Sequence, residues 1–157
     1  MKDFSISPAE LEHVDRIVNL IKYWADLGEL LERSRVEVLD AIRDFKIALD
    51  LEGNLVGCSS LHVLGKDVAE VRSLAVDPNV QTKGIGAALV AACVEDAHAY
   101  KVDRVFALTY QQSFFEKQGF ELANVMDFPE KVWNECVRCP FFSNCREIAV
   151  VRELHND

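Results

Sequence analysis

Apolar residues recur every three or four positions in the first part of the chain, a period that is typical of an amphipathic helix. The first such run has apolar residues at Leu11, Val14, Val18, Ile21 and Ala25. We expect this helix to begin at Ser7-Pro8, because Ser7 can cap it and Pro8 suits the first helical position, and to end at Gly28. Ser34 can cap a second helix, which we expect to run to about Arg43.

The pattern then changes to that of extended strands. A short strand is predicted before the first helix, at Asp3–Ser7. The runs Phe45–Leu51 and Asn54–Leu64 flank the turn sequence Glu52-Gly53-Asn54 and predict a hairpin. Asp67–Val76 extends it to an antiparallel meander of three strands.

The second half of the chain alternates helices and strands. A helical stripe from Gly84 to about Lys101 precedes the apolar run Asp103–Thr109, which predicts a strand that is covered on both faces. A short helix at Gln112–Gln118 and a strand at Phe120–Met126 follow. This order predicts one α/β domain over residues 1–157, in which a Cys-containing segment, 129–147, precedes the last strand.

Composition limits the function classes. The net charge of −9 argues against binding to nucleic acid or to an anionic membrane, since both favour clustered cations. No apolar run approaches 18 residues and the N-terminus has no signal-peptide pattern, so we expect a soluble cytoplasmic protein. Five cysteines without a secretion signal are more typical of thiols or ligands than of a disulfide framework.

The stretch with the most specific chemistry is the loop before the long helix. Gly84 and Gly86 let a ligand approach the backbone closely, and the first N–H groups of the helix point into the loop. These features predict an anion site, most simply for a phosphate or pyrophosphate. The glycine spacing excludes a P-loop and does not fit a dinucleotide fingerprint.

The same stretch resembles motif A of the GNAT superfamily of acyl-CoA-dependent N-acyltransferases, because Gln81, Gly84 and Gly86 match its [Gln/Arg]-x-x-Gly-x-[Gly/Ala] pattern. The segment Phe114–Phe120 is similar to the family's motif B, a short helix that ends in Gly-Phe. A further similarity, to short, single-domain bacterial N-acetylglutamate synthases, covers Leu30–Ser34, Phe106–Gln111 before Phe114-Phe115, Lys131–Pro140, Cys145 and Glu147–Val150. The resemblance implies a mixed, mostly antiparallel sheet that is splayed into a V, with helices on both faces.

The resemblance also implies acetyl-CoA as the cofactor and transfer by direct attack, without an acyl-enzyme. Backbone N–H groups of the motif A strand would hold the acyl carbonyl, and the loop and the helix start would hold the pyrophosphate. The cofactor-binding residues implied in this way are Leu74, Ala75, Val76, Gln81, Thr82, Lys83, Gly84, Ile85, Gly86, Ala87 and Phe115.

The amine must lose a proton, and Glu70 at the start of the motif A strand is the expected general base. In strand alternation Glu70, Arg72 and Leu74 share one face. The family's usual general acid, a Tyr on the motif B helix, is replaced by Phe115. Either Tyr110 protonates the leaving thiolate or the thiolate leaves unaided.

A glutamate acceptor needs cations for two carboxylates, and the candidates are Arg33, Arg72 and Lys131. We therefore expect acetyl transfer to the α-amine of L-glutamate or L-glutamine, the first step of arginine biosynthesis, with a homodimer compatible with the family. The alternatives are a GNAT enzyme that acts on a polyamine or a protein N-terminus, and a non-catalytic acyl-CoA sensor. Metal binding is not expected, although Cys136, Cys139 and Cys145 are weak candidate ligands.

Overall fold

The computed structural model describes residues 3–80, 84–124 and 148–154. The strands are β1 (Phe4–Pro8), β2 (Phe45–Asp50), β3 (Leu55–Val63), β4 (Val68–Val76), β5 (Arg104–Thr109), β6 (Glu121–Ala123) and β7 (Ile148–Glu153). The α-helices are α1 (Val14–Asp26), α2 (Arg35–Asp40), α3 (Ile85–Tyr100) and α4 (Gln112–Lys117), and Leu11–His13 and Ile42–Asp44 form short 3-10 helices. The predicted order of strands and helices is confirmed.

The described strands form a seven-stranded sheet in the order β1-β2-β3-β4-β5-β7-β6. The β1–β2, β2–β3, β5–β7 and β6–β7 ladders are antiparallel, and β4 pairs with β5 in parallel. The parallel ladder consists of three pairs, from Val68 with Arg104 to Glu70 with Phe106. The fold class predicted from the sequence, a mixed and mostly antiparallel sheet, is therefore confirmed.

The chain divides into two compact units. The first contains residues 3–61 and 71–96 of the described chain, and helices pack on both faces of its strands. Ile47 packs in a cluster with Ile17 and Ile21 of α1, whereas its neighbour Ala48 packs with Ile85 and Leu89 of α3. Because successive strand residues point to opposite faces, α1 and α3 cover opposite faces of β2.

The second unit contains residues 62–70, 97–124 and 148–154 of the described chain. Its core is built on β5, whose residues Val105, Phe106 and Ala107 are at most 1% exposed. Phe106 packs with Val68 of β4 and Ala149 of β7. The apolar run from Asp103 to Thr109 thus forms a strand covered on both faces, as its sequence predicts.

The start of the first helix differs from the sequence prediction. Pro8 is the last residue of β1, where it pairs with Lys46 of β2, so Ser7 and Pro8 are not the cap and first turn of a helix. The helical segment begins instead at a capping box between Glu10 and His13, in which the Glu10 N–H donates to His13 Nδ1 at 2.9 Å. Pairing with β2 keeps the backbone extended past the local helix signal.

Candidate active site

The predicted base lies where β4 is paired with β5. Glu70 forms the last pair of that parallel ladder, opposite Phe106, and its side chain is only 8% exposed. A carboxylate so withdrawn from water interacts strongly with any charge that develops beside it. This placement is compatible with the role of a general base. Glu70 belongs to the second unit, as do Tyr110 and Phe115.

The backbone of β4 leaves regular strand geometry at Ser73, which has a φ of +54°. This left-handed conformation is strained for a residue other than glycine and is often associated with functional sites. Two side chains of β3 bind the neighbouring carbonyl groups: the Cys58 thiol donates to Ser73 O and the Ser60 hydroxyl donates to Arg72 O, each at 3.4 Å. Two side chains of β3 thus bind the carbonyl groups on either side of the Arg72–Ser73 junction, next to the left-handed residue.

This irregularity corrects one expectation. Regular alternation would place Glu70, Arg72 and Leu74 on one face, but the left-handed residue Ser73 interrupts the alternation before Leu74. Leu74 packs in the cluster that α3 forms with the sheet, whereas Ala75 packs in the cluster formed by α1. Because position 73 is a serine and not a glycine, the sequence does not indicate the irregularity.

The start of α3 has the geometry expected of an anion site. Gly84 has a φ of +91°, and among residues 3–80, 84–124 and 148–154 no heavy atom lies within 4 Å of a Cβ built on it. The first helical hydrogen bond runs from the Ala88 N–H to Gly84 O at 2.9 Å. The N–H groups of Ile85, Gly86 and Ala87 precede that bond and are the helix-start donors that can bind phosphate.

Gly57 of β3 brings α3 close to the sheet, and sequence reasoning missed it. A Cβ at this position would lie 2.9 Å from Leu89 Cδ1, 3.0 Å from Ile85 Cγ2 and 3.3 Å from Ala75 O. Only a residue without a side chain permits this approach. The absence of a side chain at Gly57 thus allows the close approach between the sheet and α3, whose first turn carries the N–H groups of the predicted anion site.

The two candidate acceptor-binding arginines that the structure describes are both half-buried and lie among acidic groups. Arg33 Nη1 is 3.6 Å from Glu37 Oε2. Arg72 lies near Asp44: burial raises the pKa of the Asp44 carboxyl, the positive charge of Arg72 opposes that rise, and the negative charge of Asp96 adds to it. An incoming carboxylate would therefore compete with an acidic side chain for each arginine.

Phe115 is part of an aromatic cluster. It is 4% exposed, and its ring centroid lies 5.1 Å from that of Phe114 and 5.2 Å from that of Phe120, both in edge-to-face geometry. Packing therefore accounts for an aromatic residue at this position. Tyr110, the alternative proton donor, is half-buried and directly follows β5.

Several predicted site residues lie outside the described residues: Gln81, Thr82 and Lys83 of the loop, the candidate acceptor residue Lys131, and the candidate ligands Cys136, Cys139 and Cys145. Among residues 3–80, 84–124 and 148–154, one group offers three ligand atoms within 4.8 Å of one another, Glu10, Glu12 and His13. His13 is already used there as a helix cap.

No helix in the described part of the chain is long and apolar enough to cross a bilayer.

The chain is similar to known acetyltransferases over most of its length. Residues 16–120 match the family described as "Acetyltransferase (GNAT) family". An amino-acid acetyltransferase of Mycobacterium tuberculosis is 38% identical over 111 residues, which cover 69% of this chain and 64% of the relative.

Two solved structures are similar over nearly the whole chain. N-acetylglutamate synthase from Neisseria gonorrhoeae, complexed with coenzyme A and N-acetyl-glutamate, has a TM-score of 0.87 and 30% identity over 97% of this chain. A Mycobacterium tuberculosis protein in complex with CoA has a TM-score of 0.83 and 30% identity over 96% of this chain and 99% of its own. The chain spans 35% of the Neisseria enzyme and 64% of the mycobacterial acetyltransferase. The family match, which covers more than half of the 157 residues, shows that the chain belongs to the GNAT acetyltransferase family.

Proposed function

We propose that this chain transfers the acetyl group of acetyl-CoA to the α-amine of L-glutamate, or of L-glutamine as a close variant, and so supplies the first step of arginine biosynthesis. The observation that carries the proposal is the likeness of 97% of the chain to a synthase whose solved complex holds coenzyme A and N-acetyl-glutamate. A second relative named for amino-acid acetylation supports the same acceptor class.

The residues at the start of α3 fit the phosphate groups of the cofactor. No heavy atom of the described residues lies within 4 Å of a Cβ built on Gly84, and the N–H groups of Ile85, Gly86 and Ala87 precede the first helical hydrogen bond. We propose that they bind the pyrophosphate together with Gln81, Thr82 and Lys83. Acetyl-CoA supplies the thioester carbonyl that the amine attacks. In this proposal N–H groups of Leu74–Val76 stabilise the developing oxyanion, a contribution of about 2.7–4 kcal/mol for one such donor.

Glu70 is proposed to take the proton that the acceptor ammonium must lose before its nitrogen can form the amide bond. After the attack the nitrogen gives up its second proton, to solvent or to Tyr110 as that residue donates its own. The carbon–sulfur bond breaks and its electron pair leaves with the sulfur. Tyr110 is the proposed donor to the thiolate, and unaided departure is the alternative, since a thiol pKa of about 8.5 makes the thiolate a stable leaving group.

Arg33 and Arg72, with Lys131, are proposed to bind the two acceptor carboxylates. Arginine suits this task because its planar guanidinium group can bind a carboxylate with two parallel hydrogen bonds. Binding would require an acceptor carboxylate to replace or share the ion pair of Arg33 with Glu37, and to compete with the electrostatic attraction between Arg72 and Asp44.

The proposal is tested by thiol release from acetyl-CoA with L-glutamate, L-glutamine, spermidine and a short peptide in parallel. We expect turnover with glutamate or glutamine only, and a rise in the KM of that acceptor when Arg33 or Arg72 is changed to Gln. Release with spermidine or peptide alone would refute the acceptor and leave the family standing. A cationic acceptor is the second candidate, because the net charge of −9 attracts it.

A third outcome is CoA binding without release for any acceptor. That result would indicate a non-catalytic acyl-CoA sensor, the alternative that the replacement of the usual Tyr by Phe115 leaves open. Calorimetric titration with CoA distinguishes such a sensor from a chain that does not bind the cofactor at all.

A further inference from the structure

One hydrogen bond joins the end of α1 to the end of β4. Trp24 lies in the last turn of α1, and its Nε1–H donates to the carbonyl oxygen of Val76 at 2.9 Å, across 52 residues of sequence. The N–H of the same peptide group, which belongs to Asp77, donates to Val56 O at 2.8 Å. The Val76–Asp77 peptide plane is therefore held from both sides, by a helix on one side and by β3 on the other.

This peptide group is the junction between β4 and the loop. Val76 is the last residue of β4, and the turn that follows is built on Asp77: its carboxylate accepts from the Asn79 N–H at 2.9 Å and its carbonyl accepts from the Val80 N–H at 3.1 Å. Because peptide groups are planar, fixing the plane at Val76–Asp77 fixes the direction in which this turn leaves the strand. The turn leads to the loop that precedes Gly84.

The main chain of Trp24 also accepts hydrogen bonds at the C-terminal end of α1. Its carbonyl oxygen accepts from the N–H groups of Leu27 at 3.2 Å and Glu29 at 2.9 Å, where the chain leaves α1. The connector that begins there carries Arg33. These two bonds use the backbone, so a substitution of the indole leaves them in place.

We infer that Trp24 is a positioning residue for the reaction proposed above: its indole N–H orients the junction between β4 and the loop, and through it the backbone that binds the acyl-CoA. Trp24 acts through Val76 and need not touch the substrate. The inference rests on the proposed function for the identity of the cofactor, and its test separates the two.

Trp24→Phe removes the N–H donor and keeps an aromatic ring. We expect the KM for acetyl-CoA, and the Kd for CoA by calorimetry, to rise about three- to ten-fold, as the loss of one hydrogen bond predicts. The KM for the amino acid should stay unchanged, because the backbone bonds to Leu27 and Glu29 remain. An unchanged Kd for CoA in Trp24→Phe would overturn the inference.

Leu20→Ala is the matched control, since Leu20 packs from α1 against the same core as Trp24 and makes no bond to β4. It should lower the melting temperature and leave the Kd for CoA unchanged. An equal rise in Kd in both variants would mean that affinity follows stability, and would refute a positioning role for Trp24.

A spectroscopic readout is independent of turnover. The chain has two tryptophans, Trp24 and Trp133, so the indole N–H region of a ¹⁵N-labelled sample contains two signals, assigned by their loss in single Phe variants. CoA should shift the Trp24 signal, and a signal that does not move at saturating CoA would contradict the inference. If CoA shifts it while no amino acid is acetylated, the inference stands and the proposed acceptor fails. If the chain does not bind CoA, both fail.

Discussion

Glu70 is the residue on which the proposed chemistry depends most. It is 8% exposed at the end of the parallel ladder between β4 and β5. Glu70→Gln keeps the shape of the side chain and removes the base, so we expect kcat to fall about 10²- to 10⁴-fold with little change in the KM for acetyl-CoA. Steady-state kinetics across pH should also show that the acidic limb of the wild-type profile is lost.

The matched control is Glu116→Gln on α4. The Glu116 carboxylate is exposed and accepts a 3.5 Å hydrogen bond from the Gln112 side chain. Its turnover should equal that of the wild type. If Glu70→Gln kept full turnover at every pH, Glu70 would not be the base, although the family membership would be unaffected.

A substitution at Gly57 is expected to lower the stability of the fold. In Gly57→Ala the new Cβ would lie 2.9 Å from Leu89 Cδ1, so the helix or the side chain must move, at a cost of about 1–3 kcal/mol in the free energy of unfolding. Leu89→Val removes the conflicting methyl group. The double variant should therefore lose less stability than the two single losses add up to, which chemical denaturation of all four proteins measures. Strictly additive losses would contradict the contact.

Single residues also show which structural roles can be predicted from the local sequence and which cannot. The predicted roles of Gly84 and the helix start follow from local rules, and the φ of +91° at Gly84 is a conformation that glycine adopts readily. Gly57, Ser73 and Trp24 carry no such local signal, because each depends on a partner from another element. The hydrogen bond of Trp24 spans 52 residues, and no motif contains both ends.

At the scale of elements, the start of α2 lies where the sequence predicts it, directly after the cap Ser34. The Ser34 hydroxyl accepts from the Glu37 N–H at 3.1 Å, and the Glu37 carboxylate accepts from the Ser34 N–H at 3.0 Å, which completes a capping box. We expect Ser34→Ala to cost about 1 kcal/mol of unfolding free energy, and Ser34→Asp to restore most of it. An unchanged stability in Ser34→Ala would show that the cap contributes nothing.

The same box predicts a pH dependence. The backbone N–H of Ser34 lowers the pKa of Glu37 below its ordinary value of 4.5. Since the folded pKa is the lower one, the stabilisation is complete above that ordinary value and disappears as the pH falls through the folded value. Glu37→Gln should therefore be less stable than the wild type at pH 7, and the difference should close as the pH falls through the lowered pKa of Glu37. A difference that stays constant over this range would refute the charge-dependent part of the cap.

The two helix starts explain why one local signal succeeded and the other failed. Ser34 follows a connector, where no strand pairing competes with the cap. Ser7 and Pro8 have an equally good local signal, but β2 pairs with β1 through Pro8 and keeps that backbone extended. Pairing partners come from distant sequence, so propensity alone could not choose between the two outcomes. The strand order and the fold class were predictable because they depend on many elements and tolerate such local errors.

At the scale of the whole molecule, two buried thiols report on unfolding. Cys58 and Cys93 are fully buried, and burial raises the pKa of Cys58 to about 12 and that of Cys93 to about 11. The thiolate is the reactive form, so both thiols should be inert to iodoacetamide at pH 8 in the native protein and react only when the first unit opens. Mass spectrometry of peptides separates them from Cys136, Cys139 and Cys145.

This labelling links stability to the cofactor. A ligand that binds only the folded chain lowers the open population, so CoA at about 100 times its Kd should slow the labelling of Cys58 and Cys93 by up to about 100-fold, provided that reclosing is faster than the reaction. Trp24→Phe should reduce this protection at a fixed CoA concentration, whereas glutamate alone should give little. Labelling at the rate of a free thiol would contradict the buried positions, and labelling that CoA does not slow would mean that these thiols become accessible without loss of the cofactor-binding structure.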